Sequence, residues 1–311
     1  MHSIKNIAVI GIGGVGGYVG GKLAQLCASD EFQVNVSFIA RGAHGQKIAN
    51  EGLTLHVAKE TFKVLPSEVI ENISHLKSPD LVVLATKSYD LGPVAGQLDK
   101  VIRKDTLIMP LLNGIDIHQR IRKVTSKGII LPSCIYIASF INAPGEVTVL
   151  GAKVLINTGH TNPFEKVNKE AVISLFEKAG LKLKWNENPF LAIWEKYAFV
   201  ASFAIVSGCT RQSFIEMVNE PSSNQAVRDV MSEIISLARA KDIILPADFV
   251  EKSMETAKKL SPDAKTSFLR DIESGKGLNE ADIFGETVIR LGKELGISTP
   301  VTSKMVQGTK F

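Results

Sequence analysis

The chain has 311 residues, 45% of them hydrophobic and 22% charged, the balance of a folded globular protein rather than a disordered or low-complexity one. Its length suits two domains. The formal net charge is only +4, from 36 basic and 32 acidic residues. The basic residues form no run, which argues against nucleic acid as a partner and leaves room for a local anion site.

Three cysteines, Cys27, Cys134 and Cys209, form no CxxC pair and suit a reducing cytoplasm without a metal or redox motif. Two apolar stretches resemble targeting or membrane segments. Ile7 to Leu26 holds seven glycines and Lys22, which no signal-peptide core carries. Phe190 to Cys209 is interrupted by Glu195 and Lys196, so it reads as a buried core helix rather than a membrane span. Cytoplasm is the expected location.

In chain order, Ile4–Ile10 reads as a strand ending at a glycine cluster, followed by a helix to about Ala28. Val34–Ile39, Asp80–Ala85 and Thr106–Met109 are further buried runs, with a helix from about Leu91 to Ile102. Near-continuous Val, Ile and Leu strands between helices predict a parallel sheet covered on both faces. From Asn142 to Gly159 the pattern turns hairpin-like around Pro144-Gly145. A helix from about Glu165 to Ala179 and a strand from Leu181 to Trp185 complete this half.

After Asn186 no strand is predicted. Asn188-Pro189 reads as an N-cap with proline at the first helical position, opening a helix to about Ser207. Gln225–Ala240, Ala247–Leu260 and Ala281–Leu295 keep helical periodicity. The expected fold is therefore α/β: a Rossmann-type, doubly wound N-terminal domain over residues 1–187, an all-α C-terminal domain over 188–311, and a cleft between them.

Gly11-Ile12-Gly13-Gly14-Val15-Gly16 follows a predicted strand and opens a predicted helix, the context in which GxGxxG reads as a dinucleotide site. Gly11 would allow the tight turn, Gly13 the approach of a pyrophosphate, and Gly16 close helix–strand packing. A helix N-terminus adds free N–H groups for the anion. The alternative is a glycine-rich turn alone. The second strand ends Ile39-Ala40-Arg41 with no acid for a ribose 2′-hydroxyl. Arg41 instead offers a guanidinium to a 2′-phosphate, favouring NADPH over NADH; otherwise it is a solvated loop arginine. Lys87 and Asn113-Gly114 follow two further strands at the carboxyl edge where open α/β sheets bind ligands. Each could also be only an edge charge or a turn.

In the helical half, Lys196 lies in a helix apolar on nearly every face. Desolvation there would ease the release of its proton, although its neighbour Glu195 allows a solvated rim position instead. Glu280 reads first as an acid in the opening turn of a helix, beside Asp282. Ser267 and Arg270 read as a cap and a surface charge, or as ligands for a carboxylate.

Taken together, Gly11-x-Gly13-x-x-Gly16, Lys87, Asn113-Gly114, Trp194-x-Lys196, Ser267-Phe-Leu-x-Asp271-Ile272 and Glu280-x-Asp282-x-x-Gly285 resemble the ketopantoate reductase family over essentially the whole chain. The resemblance implies NADPH-dependent reduction of 2-dehydropantoate to pantoate, for pantothenate formation, by a monomer or homodimer acting on a small 2-oxo acid. It implies Lys196 as general acid, Glu280 holding the substrate hydroxyl, Asn113 and Lys87 orienting substrate and nicotinamide, and Ser267 binding the carboxylate. Val200, Ala204 and Phe284 stand where the family pattern has asparagines. Those departures open two further readings: a relative acting on a more apolar 2-oxo acid, and a non-catalytic NADP(H)-binding sensor.

Overall fold

The computed structural model describes residues 4–28, 33–161, 166–275 and 277–308. Glu165, which the sequence reading placed at the start of a helix, lies outside them. The chain divides into two compact units, one of residues 1–112 and 116–189, the other of residues 113–115 and 190–311.

The first unit opens with β1 (Asn6–Ile10), α1 (Gly14–Ala24), a short 3-10 turn, β2 (Asn35–Ile39) and α2 (Gly42–Glu51). Then come β3 (Leu53–Val57), β4 (Glu60–Val64), β5 (Glu68–Ile70), β6 (Leu81–Leu84), α3 (Leu91–Val101), β7 (Leu107–Pro110), α4 (Ile117–Arg122) and β8 (Ile129–Ile130). The long hairpin β9 (Ser133–Ala143) and β10 (Glu146–Thr158) leads to α5 (Lys169–Lys178) and β11 (Leu183–Trp185). Six strands form a parallel sheet in the order β5-β2-β1-β6-β7-β8. This is the predicted Rossmann-type sheet, and its inner strands β6 and β7 are buried at every residue.

The hairpin and β11 do not extend that sheet, as a single-sheet reading of this half would have it. They join β3 and β4, which the sequence reading did not find, in a second, five-stranded sheet. One edge of β10 pairs with β9 along its length; the other pairs with β3 near its start and β11 near its end.

Helix α1 is packed between the two sheets, and this accounts for its glycines. A Cβ at Gly20 would meet Phe38 of the parallel sheet at 2.9 Å, while one at Gly17 would meet Val147 at 2.7 Å and one at Gly21 would meet Leu55 at 2.4 Å in the second sheet. Gly17 and Gly21, four apart, share the face turned to the second sheet, while Gly20 is set against the parallel sheet. Ile7, Val9, Val19, Leu23, Phe38, Leu53, Leu55 and Val147 join in one buried core across these layers. Each such side chain contributes roughly 1.5–3 kcal/mol when fully buried.

The second unit is helical: α6 (Phe190–Thr210), α7 (Phe214–Asn219), α8 (Pro221–Arg239), α9 (Phe249–Lys258), α10 (Ser267–Glu273), α11 (Thr287–Leu295) and α12 (Pro300–Gly308). No strand occurs after Trp185 among the described residues. Helix α6 packs against α7, α8, α10 and α12, which is why it is apolar nearly all round. It is long and apolar enough to cross a membrane, but most of it is buried inside the structure, as in a core helix. Its hydroxyls are satisfied locally: Ser202 Oγ donates to the Ala198 carbonyl at 2.6 Å and Thr210 Oγ1 to that of Val206 at 2.9 Å, the back-bonding open to Ser and Thr inside a helix.

Side chains close the helix ends. Ser213 and Glu216 form a reciprocal capping box on α7, Thr266 caps α10, and Glu233 accepts from the Val301 and Thr302 amides at the start of α12. These bonds satisfy amides that a helix start leaves without partners.

Candidate active site

The glycine-rich turn connects β1 to α1, and its glycines have distinct causes. Gly11 has φ +87°, a conformation costly for any residue with a Cβ. A Cβ at Gly16 would lie 2.0 Å from the Gly11 carbonyl oxygen, so glycine is needed for the helix to pack on the strand. At Gly13 a Cβ would meet nothing within 4 Å: this side of the turn is open. The first intrahelical bond of the turn runs from Gly17 N to Gly13 O, leaving the amides of Gly14, Val15 and Gly16 for another acceptor. No acid lies in the first turn of α1 to compete for them.

Four buried side-chain polar atoms among the described residues lack a hydrogen-bond partner: His44 Nε2, Thr86 Oγ1, Ser139 Oγ and Trp185 Nε1. Three of them border this turn. Thr86 packs on Gly11, Ser139 packs on Gly14 from β9, and His44 is acted on by the Ile12 backbone. Orphaned buried polar groups are rare in folded proteins and call for an explanation such as a ligand. Their clustering here, with the free amides, fits a dinucleotide's diphosphate.

Arg41 is exposed and is the N-cap residue of α2, whose first turn has no acid. A guanidinium beside a helix N-terminus fits a 2′-phosphate. Three residues on, His44 is half-buried. Its Nδ1 accepts from Gly145 N–H at 3.0 Å, which puts the proton of the neutral ring on Nε2. Burial pushes the imidazole below its ordinary value, opposed by the Ile12 backbone. Lys87 is half-buried at the N-cap of a 3-10 turn after β6.

In the helical unit, Lys196 and Asn113 come together: Lys196 Nζ donates to Asn113 Oδ1 at 2.7 Å. An ammonium has no lone pair, so the contact orients the amide, and Nδ2 is left as the donor of that side chain. The next residue, Tyr197, reaches the Ile283 and Phe284 carbonyls with its hydroxyl at 2.7 and 2.9 Å. Asp282–Glu286 is a π-helical turn, a widened geometry that disturbs the regular amide–carbonyl ladder; the tyrosine serves its carbonyls. Glu280, just before this turn, is buried, 4% exposed. Ser267 is exposed, and the cap of its helix is Thr266 rather than Ser267. Arg270 is also exposed, in the last turn of that helix.

The three positions where the resemblance expects asparagine differ among themselves. Ala204 and Phe284 are fully buried, Phe284 edge-on to Phe268 at 5.6 Å. Val200 is half-buried, one helical turn beyond Lys196. His44, Thr86 and Ser139 escaped sequence reasoning: a lone histidine or hydroxyl residue carries no signal until the fold sets it against the glycine-rich turn.

A glycine-rich turn with open amides and a lysine–amide pair are features that fit a nicotinamide-dependent oxidoreductase. Sequence comparison agrees: residues 7–163 match the profile of ketopantoate reductase PanE/ApbA, and residues 189–310 that of its C-terminal part. The chain belongs to the ketopantoate reductase family, whose members are NADP-dependent oxidoreductases acting on small 2-oxo acids. It is 25% identical to an uncharacterized oxidoreductase, YkpB, of Bacillus subtilis (strain 168), over 94% of both chains. It is 26% identical to a 2-dehydropantoate 2-reductase of Mesorhizobium japonicum, over 94% of this chain and 93% of that one. The crystal structure of 2-dehydropantoate 2-reductase from Porphyromonas gingivalis W83 superposes with TM-score 0.83 at 26% identity, over 98% of each chain.

Proposed function

We propose that this protein reduces the 2-oxo group of a 2-oxo acid to the 2-hydroxy acid with NADPH, using Lys196 as the general acid. The observation that carries this reading is the 2.7 Å hydrogen bond from Lys196 Nζ to Asn113 Oδ1. NADPH, when bound, supplies the hydride. Reduction of a carbonyl builds negative charge on its oxygen; a nearby ammonium stabilises that charge and gives it a proton. Asn113 holds the ammonium by its oxygen and keeps Nδ2 to donate to the substrate. The amides of Gly14, Val15 and Gly16 hold the diphosphate, and Arg41 the 2′-phosphate.

The names of several relatives make 2-dehydropantoate, reduced to pantoate on the route to pantothenate, the first substrate to assay. Roles for Glu280 and Lys87 in orienting the substrate, and for Ser267 at its carboxylate, belong to the same proposal.

The test follows loss of nicotinamide absorbance with a panel of 2-oxo acids. Turnover with kcat/KM of roughly 10⁴ M⁻¹s⁻¹ or more on one of them is expected. Lys196→Ala should lower kcat by about 10²–10⁴-fold with NADPH affinity intact. NADPH binding with no turnover on any member of the panel would favour a sensor and defeat the reading.

A further inference from the structure

Residues two apart on a strand line one face, and on β9 one such row is Ile135, Ile137 and Ser139. Both isoleucines pack into the core around α1. Ser139 pairs with Val149 of β10, which belongs to the same core. The alternation calls for an apolar side chain at position 139. A serine stands there instead, and its hydroxyl is buried without a hydrogen-bond partner.

The row ends at the start of α1. A Cβ on Gly14, the first residue of that helix, would lie 2.8 Å from Ser139 Oγ itself. The two other orphaned side chains beside the glycine-rich turn are placed differently: Thr86 meets Gly11 through its amide nitrogen, and His44 already engages Gly145 through Nδ1. Packing gives no reason for a hydroxyl at position 139, since burying one without a partner destabilises the fold. A ligand that brings an acceptor removes that cost. The open amides of Gly14, Val15 and Gly16 favour an anion at the same helix end. Phosphate oxygens accept, and a serine hydroxyl can donate to them.

Resting on the NADPH part of the reading above, but not on which 2-oxo acid is reduced, we propose that Ser139 is a ligand of the cofactor's diphosphate. Its hydroxyl adds a donor from β9 to those of the turn's amides, so the second sheet as well as the Rossmann-type sheet holds the cofactor. The same oxygen then acts against stability in the free protein and for affinity in the complex.

Ser139→Ala deletes that oxygen and demands no new space. Without cofactor, its Tm should equal or exceed the native value. Fluorescence titration should show the Kd for NADPH raised by roughly 10–150-fold, the range for a hydrogen bond to a charged group. At a fixed NADPH concentration the rise in Tm on binding should shrink accordingly. NADH carries the same diphosphate without the 2′-phosphate, so its Kd should rise by a similar factor and the preference between the two should stay as it is. An unmoved Kd for NADPH, or a weakening of NADPH that spares NADH, overturns the proposal. So does a raised Kd accompanied by a lower Tm without cofactor, which would trace the loss to a disturbed strand. A native protein that binds no NADPH overturns both this proposal and the reading it rests on. A native protein that binds NADPH but turns over no 2-oxo acid overturns the reading of the reaction alone.

Discussion

Asn113 Oδ1 accepts a hydrogen bond from Lys196 Nζ across 83 positions of sequence, and the two residues belong to one compact unit although β7, just before Asn113, belongs to the other. The chain thus lends three residues of its first half, Asn113–Ile115, to the helical unit. Local sequence places Asn113 after a strand; only the fold reveals which ammonium it serves.

That pairing makes the amide a handle on the lysine's proton. In Asn113→Asp a carboxylate replaces a neutral oxygen beside the ammonium, and an adjacent opposite charge favours the charged form. If protonated Lys196 is the working acid, activity falls as pH rises through its titration. The aspartate variant should therefore carry the alkaline limb of its kcat/KM profile to higher pH, with a lower plateau because the proton is held more tightly. Asn113→Ala, which removes a hydrogen bond to a charged group worth about 1.5–3 kcal/mol, should lower kcat/KM by roughly 10–150-fold. A pH–rate profile of the aspartate variant that overlays the native one would separate Asn113 from the proton transfer.

Gly13 and Gly16 make a paired prediction, because the structure assigns them opposite constraints. In Gly16→Ala the new methyl meets the Gly11 carbonyl oxygen and the Ala85 side chain, and overpacking of this kind costs about 1–3 kcal/mol. Its Tm should fall by several degrees with NADPH absent. In Gly13→Ala the methyl meets no protein atom, so Tm should stay within the small range of neutral substitutions, about 0.5 kcal/mol. NADPH affinity should nevertheless drop, since the methyl occupies the side a diphosphate approaches. Thermal melts beside a fluorescence titration with NADPH read both effects. A destabilised Gly13→Ala with unchanged NADPH affinity would contradict this account.

These constraints bear on how much could be read without coordinates. The parallel sheet and the glycine turn were legible because their signals are local: an unbroken apolar run, a glycine pattern, a helical period. The second sheet was legible only in its hairpin and its last strand. Its strands lie at residues 53–64, 133–158 and 183–185; β3 and β4 are five-residue segments that pair with each other, and β3 joins the sheet only through β10, some ninety residues along the chain. The glycines of α1 outside the fingerprint, Gly17, Gly20 and Gly21, look redundant until two sheets are seen to press on them. Helices α7, α10 and α12 were also missed: each has nine residues or fewer, too short for a hydrophobic period to declare itself. The π-turn before α11 shifts the register without any change in composition.

His44 is the clearest case of a residue invisible in sequence and placed by the fold. It accepts from the amide of Gly145, in the turn of the β9–β10 hairpin, and adjoins the Ile12 backbone, tying the second sheet to the glycine-rich turn. His44→Leu keeps the bulk and removes both ring nitrogens, so the Kd for NADPH should rise while kcat at saturating NADPH changes little. His44→Asn, whose Oδ1 can still accept from Gly145, should recover much of the affinity. The ring's value in the folded state lies below its ordinary value of 6.5, so its share of stability is present above that value and fades as pH falls through the lowered one. The difference in Tm between the native protein and His44→Asn should therefore shrink between pH 7 and pH 5. A kcat effect larger than the Kd effect in His44→Leu would mean the histidine acts on the chemical step rather than on the turn.

Glu220, between α7 and α8, offers a pH test in the helical unit. Its carboxylate accepts from the Ser222 hydroxyl at 2.6 Å and from the Ser223 and Ser222 amides at 2.6 and 3.2 Å, capping α8 ahead of Pro221. These bonds, the Ser222 side chain foremost, pull its value from 4.5 down to about 2. A carboxyl depressed in the folded state stabilises above its unfolded value and loses that contribution as pH falls toward the folded one. The window here runs from about 4.5 down to about 2. Glu220→Gln keeps the shape and one acceptor but removes the charge at a helix N-terminus, so its Tm should lie below the native value at pH 7. The gap should narrow as pH is lowered through 4 toward 3. Thermal melts of the two proteins across that range decide the matter, and a gap as wide at pH 3 as at pH 7 would mean the charge contributes nothing to the cap.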